Sequence, residues 1–445
     1  MRKKGQAMND QADVLFSGDY RLSPSTAEAL EMWLGTVAAP IHDQHWDVSD
    51  PKLFGNEKVH EIFREMRAEA PINKVTGTPQ GDYWNITTVK AIQHIEALPK
   101  IFASGFEVGG MVIQDSTEQA KKEGRGKTFI AMDAPDHTKR RRAVAPAFTP
   151  GEMVRLSERV RSRTVEVLEG LPRGEQFNWV EKVSIELTTG MLAIIFDFPW
   201  EHRHALTFWS DWQSDLRLGA TKELEELRKE ITLEMGTCMY KLWQQRLNAP
   251  PAPDLLSRLI HSEEMPEMDP MEFSANMSLL IVGAVDTTRN TMSGIAEGFD
   301  RFSQERAKLE ADPSLIPNAV QECIRFVTPV AHMRRTATED YTLDDQTIRK
   351  GEKVILWYKS ANRDETVFDE PDVLKVDRDN ARRHVAFGYG VHRCVGARLA
   401  ELQLRTLVEE MIRLDIRPRV TGKVERLDNV FINGFSKVEM TLDPA

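Results

Sequence analysis

The stretch FSANMSLLIVGAVDTTRNTMSG, residues 273–294, is apolar on every side through Val285. A helix without a polar face cannot lie on a surface, so it must run through the centre of a protein with other elements packed around it. Helical spacing recurs through the middle of the chain at 151–170, 180–197, 200–247 with breaks, and 271–300. An amphipathic helix is expected at Val59–Glu69, and DYWNITTVKAIQHIEAL after it reads as a strand turning into a helix. Residues 102–133 have poor periodicity and read as a long loop, a feature that is often functional. β-rich composition returns only around 336–358 and at the C-terminal end. The expectation is a mainly α fold with small β-sheets. No linker, repeat or low-complexity tract divides it, so 46–445 reads as one domain behind an irregular segment at 1–45.

Charge and cysteine usage narrow the class. The net charge of −11 over 445 residues disfavours nucleic acid, whose phosphates need a basic footprint. No apolar run approaches a membrane span, and no apolar segment follows the charged opening MRKKGQAMND, so neither a membrane span nor a secretory signal is expected. Met8 is an alternative start. Three cysteines, Cys238, Cys323 and Cys394, suit a reducing compartment and a cytoplasmic protein better than a disulfide framework.

Cys394 stands in FGYGVHRCVG, ahead of a segment whose apolar residues at 395, 399, 402, 407, 408 and 411 have helical spacing. Free amide groups and the dipole at a helix start favour an anion, so this thiol is expected to ionise easily and to bind metal. Gly390 and Gly396 would let the backbone approach something flat and bulky. The bland alternative is a small buried hydrophobe at a helix cap. Phe387, Gly390, His392, Cys394 and Gly396 together match F-x-x-G-x-H-x-C-x-G at all five fixed positions. A chance match is on the order of one in a hundred thousand. This is the haem-binding signature of the cytochrome P-450 superfamily, which the chain resembles from about residue 45 to its end.

The resemblance implies a triangular helical body around a buried, thiolate-ligated haem b. Cys394 would be the axial iron ligand, donating electrons that favour O–O cleavage. ECIR, Glu322 to Arg325, resembles the family's E-x-x-R helix: of six E-x-x-R matches it is the one lying 72 residues before the cysteine and followed by VTPVAHMRRTATED. Its role would be structural, joined by an arginine from the meander before the cysteine loop. GAVDTT, 283–288, resembles the acid–alcohol pair, with Asp286 relaying protons from solvent and Thr287 passing on those that split O–O. Gly283 and Ala284 would form the oxygen-binding notch, and Val285 offers no polar atom for a water path. Thr287 and Thr288 could also bond back to the preceding turn and open the helix. From the residues alone, Asp286 in an apolar helix is an expensive unpaired charge or a polar contact between helices. HTKRR, 137–141, within MDAPDHTKRRRAVAPAFTP, matches the family's H-x-x-x-R helix, so His137 and Arg141, with Arg335 and His392, are expected to bind the haem propionates.

No flavin domain or iron–sulfur cysteine set is visible, so electrons must come from another protein. Lys139, Arg140, Arg142, Arg383, Arg393 and Arg398 cluster around the segments expected on the thiolate side and would steer an acidic ferredoxin, itself served by a ferredoxin reductase. An ordinary charged surface is the alternative.

Longer passages, FNWVEKVSIELTTGMLAIIFDFPW, LLIVGAVDTTRNTMSG, PVAHMRRTA, WYKSANRDE and HRCVGARLAELQL, resemble the bacterial subfamily that hydroxylates alkanes and fatty acids at the terminal carbon. In such a fold the pocket would be lined by Val108, Met111, Ile113, Leu279, Leu280, Val330, Met333, Phe431 and Ile432. All are apolar, which suits an aliphatic chain held by shape, or plain core packing. The expected activity is insertion of one oxygen atom from O2 into a C–H bond of an alkane, fatty acid or similar small apolar molecule. The alternatives are a cyclic terpenoid, steroid or aromatic substrate, a peroxide-driven enzyme, or a haem-binding sensor.

Overall fold

The computed structural model describes residues 45–115, 128–215, 222–261 and 270–444. The irregular segment expected at 1–45 therefore falls, except for its last residue, outside the described residues. So does the middle of the long loop, whose described part holds only single turns and the two-residue strand Phe102–Ala103.

The described helices that matter here are α1 (Val59–Glu69), α2 (Val89–Glu96), α3 (Asp136–Val144), α4 (Pro150–Glu169), α5 (Glu186–Phe196), α6 (His204–Ser214), α7 (Lys222–Leu247), the central α8 (Pro270–Arg301), α9 (Ile316–Val327), the short α10 (Tyr358–Ala361) and α11 (Ala397–Arg413). As its all-round apolarity demands, α8 is enclosed, packing on α5, α6, α7, α9 and α11. Its first half gives Met277, Ile281 and Val285 to one core; its second half gives Met292, Ile295 and Phe299 to another. Burying side chains of this size stabilises the fold by about 1.5–3 kcal/mol each. At Gly294 a Cβ would come within 2.4 Å of Val327, so the glycine sets how closely α9 approaches.

The sheets are small. Strands β1 (Ile72–Val75), β2 (Tyr83–Ile86), β3 (Phe102–Ala103), β5 (Met333–Ala337) and β8 (Lys353–Leu356) form a five-stranded sheet in the order β1-β2-β8-β5-β3. Only β2 and β8 pair in parallel, with Trp84 opposite Val354. Strands β4 (Gln176–Asn178), β9 (Arg419–Arg426) and β10 (Phe435–Thr441) form a second sheet, and β6 (Tyr341–Leu343) with β7 (Gln346–Ile348) a hairpin. The three-residue β4 has no periodicity of its own and exists because β10 pairs with it. Among the described residues no helix is long and apolar enough to cross a membrane.

Candidate active site

Two networks hold the segment that carries Cys394. On α9, Arg325 makes a fork onto Glu322, with Nε–Oε2 and Nη2–Oε1 both at 2.7 Å. Its Nη1 donates to the carbonyls of Asn362 and Pro371, and Arg378 Nε adds a 3.0 Å bond to Glu322. Glu322 and Arg325 are wholly buried, so the pair fixes the meander that leads into the cysteine loop. The second network centres on Glu96 at the end of α2. Its carboxylate accepts from Arg335 (2.8 Å), the Tyr358 hydroxyl (2.7 Å) and the Tyr389 backbone (2.8 Å). Burial raises the Glu96 pKa, against the pull of Arg335 and these donors.

Gly390 follows at φ +66°, where a Cβ would stand 2.4 Å from the Glu96 carbonyl oxygen. The expected clearance for a flat group is therefore corrected at this position: Gly390 makes room for the protein's own backbone. Gly396, the N-cap of α11, would place a Cβ in ordinary contact with Cys394 Sγ and Phe148.

Cys394 donates its backbone N–H to Phe387 O at 2.8 Å, and Arg393 lies over the Phe387 ring. The thiol is accessible yet surrounded by protein, so it opens into the molecule. The expectation of easy ionisation does not hold for the free thiol. Burial raises its pKa and outweighs the amides of Gly396 and Ala397 and the charges of Arg393 and Arg141. Those amides and cations are nonetheless aimed to hold a thiolate once an iron takes the proton's place.

On α8, Gly283 is exposed, and Ala284 and Thr287 are half-exposed, although Val285 and Asp286 between them are buried. A Cβ on Gly283 would meet nothing within 4 Å. Openness of this kind inside a buried helix is what a group lying against that face requires. Thr287 Oγ1 bonds back to Gly283 O at 2.6 Å, but the helix runs on unbroken, so the anticipated opening does not occur. Nor is Asp286 unpaired. It lies 2.9 Å from Arg289, which is 2.7 Å from Asp211 on α6, all three buried. Arg289 and Asp211 escaped the sequence reading. The first obeys the same i,i+3 rule that singled out Glu322 and Arg325; the second comes from another helix with no local signal.

His137, Arg141, Arg335 and His392 gather as expected. The rings of His137 and His392 lie 4.1 Å apart, and Arg141 donates to Arg393 O at 2.5 Å. His137 Nε2 and His392 Nδ1 are buried without a hydrogen-bond partner. Desolvation, then Arg335, His137 and Arg141, lowers His392 to about 2; burial and Arg141 lower His137 as well. Two orphaned imidazole nitrogens beside two guanidinium groups fit an anionic cofactor edge. With the open face of α8 and the accessible thiol, these residues fit a thiolate-held haem.

Of the apolar set, Met111, Val330, Met333, Phe431 and Ile432 form one cluster, with Val112 and Leu427 as unforeseen members. Leu279 and Leu280 join the core beside Ala284 instead. Ile113 is a correction: wholly buried, it packs with Trp357 and Ile355. Val108 is 41% exposed and belongs to none of these clusters. His332, overlooked in the sequence, ties the walls together. Its Nε2 accepts from Ile113 N (3.0 Å) and its Nδ1–H donates to Val430 O (2.9 Å). Burial lowers it to about 4.

Among the basic residues, Lys139, Arg142, Arg383, Arg393 and Arg398 are exposed. Arg140 is corrected: its Nε is 2.6 Å from Glu272 on α8, in a largely buried ion pair.

Comparison with known proteins agrees with this geometry. The family model for cytochrome P-450 matches residues 310–414. The chain is similar to linalool 8-monooxygenase of Pseudomonas putida, with 32% identity covering 89% of this chain and 99% of the other. It is also similar to a steroid C26-monooxygenase of Mycobacterium bovis, with 29% identity covering 90% and 93%. The solved cytochrome P-450-153 from Novosphingobium aromaticivorans superposes with a TM-score of 0.85 and 55% identity, covering 89% of this chain and 99% of that one. With 32% identity across nearly the whole of a named monooxygenase, the chain belongs to the cytochrome P-450 family of haem-thiolate monooxygenases.

Proposed function

We propose that this monooxygenase hydroxylates an aliphatic chain, an alkane or fatty acid, at or near its end. The observation that carries the reading is the cluster of Met111, Val330, Met333, Phe431 and Ile432, a wall of side chains without a charge among them. Such a wall discriminates by shape and gives a polar ring or headgroup no partner. The resemblance of several passages to terminal hydroxylases supports the same reading.

Within it, Cys394 is the axial ligand and the amides of Gly396 and Ala397 hold its charge. His137, Arg141 and His392 bind propionates, as does Arg335, whose charge is shared with Glu96. Haem, once bound, supplies the activation of O2 and the transfer of one oxygen atom to a C–H bond. Asp286 moves protons inward and Thr287 presents them to the site; Arg289, held between Asp211 and Asp286, keeps the acid in place. Electrons come from an acidic ferredoxin, with its reductase, docking on Lys139, Arg142, Arg383, Arg393 and Arg398. The protein works in the cytoplasm, where Cys238 and Cys323 stay reduced.

The test is a binding series on the haem-loaded protein with alkanes, alkanols and fatty acids of graded length, beside a terpenoid and a steroid. A ferric spin-state shift that peaks at one chain length is expected. The similarity to the linalool and steroid enzymes makes a terpenoid or steroid the second reading. A shift for either of these with none for any linear chain would overturn the first.

A further inference from the structure

Two turns beyond Thr287 along α8, a second cavity of about 310 Å³ opens between α1, the end of α8, α10 and β9. Cys394, Gly283, Ala284 and Thr287 do not line it, so it is separate from the haem site. Its chemistry is also different. Five cations (Arg64, Arg301, Lys359, Arg363 and Arg426) line it with His60 and four carboxylates (Glu57, Glu61, Glu297 and Asp372).

Most of the charges in this cavity are already matched. Arg426 lies 3.2 Å from Glu57 and 4.0 Å from Glu297; Arg363 is 3.2 Å from Asp372, which also takes Arg64 at 2.7 Å. Lys359 is the exception among the buried ones. Only 4% exposed, its Nζ donates to the neutral amide oxygen of Asn433 at 2.9 Å, and among the described residues no carboxylate lies within 4.0 Å of it. Arg363 Nε, the atom that faces Asp372, is buried and makes no hydrogen bond beyond that ion pair. An ammonium taken out of water without a counter-ion is costly. Burial lowers the Lys359 pKa to about 7, with Arg426 and Arg363 adding to the fall and the more distant Glu57 opposing it.

We propose that this cavity is a binding site for a small organic carboxylate, whose anion completes the pairing of Lys359. One guanidinium group fits the same ligand. Arg426 stacks on Phe435 at 4.4 Å from the ring centroid, and its Nη1 takes no part in the ion pairs to Glu57 and Glu297, whereas Arg363, stacked on Phe326, spends its Nη groups on the carbonyls of Arg325 and Phe326. Val327, Gly294 and the two aromatic rings give the ligand's carbon part an apolar wall. The site is specific to charge and modest in size. It is independent of which substrate the haem side takes.

The probe is sodium benzoate, titrated calorimetrically into the haem-loaded enzyme with the active site saturated by an imidazole-type iron ligand. One binding site is expected, insensitive to that iron ligand and silent toward the neutral isostere benzamide. Lys359→Met, which replaces the buried amine with an apolar chain of similar length, should weaken benzoate at least tenfold, and Arg426→Gln should do the same. Should Lys359→Met fail to fold, the Arg426 variant and the benzamide control still decide the matter. Absence of benzoate binding, binding that the iron ligand displaces, or an affinity unchanged in the folded variants would each overturn the site.

Discussion

Two helices of this protein carry an acid and an arginine three residues apart, both buried, and the two pairs are built to opposite ends. On α9 one carboxylate, Glu322, meets two guanidinium groups, Arg325 and Arg378, and the spare donors of both end on backbone carbonyls. On α8 one guanidinium group, Arg289, meets two carboxylates, Asp286 and Asp211, while Asp286 Oδ2 and Arg289 Nε have no hydrogen-bond partner. A network with its bonds satisfied has one arrangement; one with an acceptor to spare can take up a proton or a water. The first geometry locks the proximal scaffold, and the second leaves an acid able to work.

The largest test of that contrast is Arg325→Ala. Leaving Glu322 buried with Arg378 and the Lys375 backbone N–H as its remaining partners should cost about 3–5 kcal/mol. Denaturant unfolding should show it, along with loss of haem from the purified protein. Unchanged stability would mean that the α9 network is not the lock its geometry describes.

Asp286→Asn asks the converse. The fold should survive, because the amide keeps the shape and Asp211 still partners Arg289. Turnover with saturating electron donor should fall by about 10²-fold, the lower range for losing a positioned acid. Asp211→Asn should do less, since Asp286 keeps its ion pair. A folded Asp286→Asn enzyme with full coupled turnover would make the α8 pair as structural as that on α9.

His332 sharpens the contrast from a third side. It is fully bonded in one protonation state only, with Nε2 accepting from Ile113 and Nδ1–H donating to Val430. The unfolded chain takes this proton near the ordinary 6.5, the folded chain only near 4. The stabilisation is therefore complete above pH 6.5 and is lost as pH falls toward 4, by about 3 kcal/mol in all. Equilibrium unfolding across that window should show the slope, and His332→Gln should make it shallower by that share, the rest belonging to the other buried histidines, His60, His137, His384 and His392. A wild-type slope that persists in the variant would assign it to other groups.

These comparisons also show what the sequence could carry. Cys394, His392 and Gly396 were legible because their spacing in one loop is fixed by the chain itself, and Glu322 with Arg325 because an i,i+3 pair is local. Arg289, three residues after Asp286, is equally legible by that rule. Asp211 and Glu96 are not, and the family resemblance gives Arg378 only as some arginine of the meander, without a position. Each acts on a residue tens to hundreds of positions away, and nothing near it in the sequence marks the meeting. Ile113 shows the same limit in reverse. An apolar residue in a loop reads alike whether it faces a ligand or the core, and only the bond from its N–H to His332 fixes which way the chain turns. Lys359 gave no signal at all, because burial of a charge is a property of what packs around it.

The smallest expected effect carries the distinction between paired and unpaired charge to the surface. Arg140 and Arg142 are two residues apart on α3, but Arg140 is engaged with Glu272 while Arg142 is exposed. Reversing Arg142 to Glu should slow electron transfer from an acidic ferredoxin a few-fold at low salt, with haem loading and unfolding unchanged. The deficit should close as ionic strength shortens the reach of the field. Arg140→Glu should act through the fold instead: it places a second carboxylate against Glu272, so the loss should appear in stability and persist at high salt. Stopped-flow reduction across a salt series, paired with unfolding curves, separates the two. Identical behaviour of the two variants would show that neither burial nor pairing decides which arginines on α3 meet the donor.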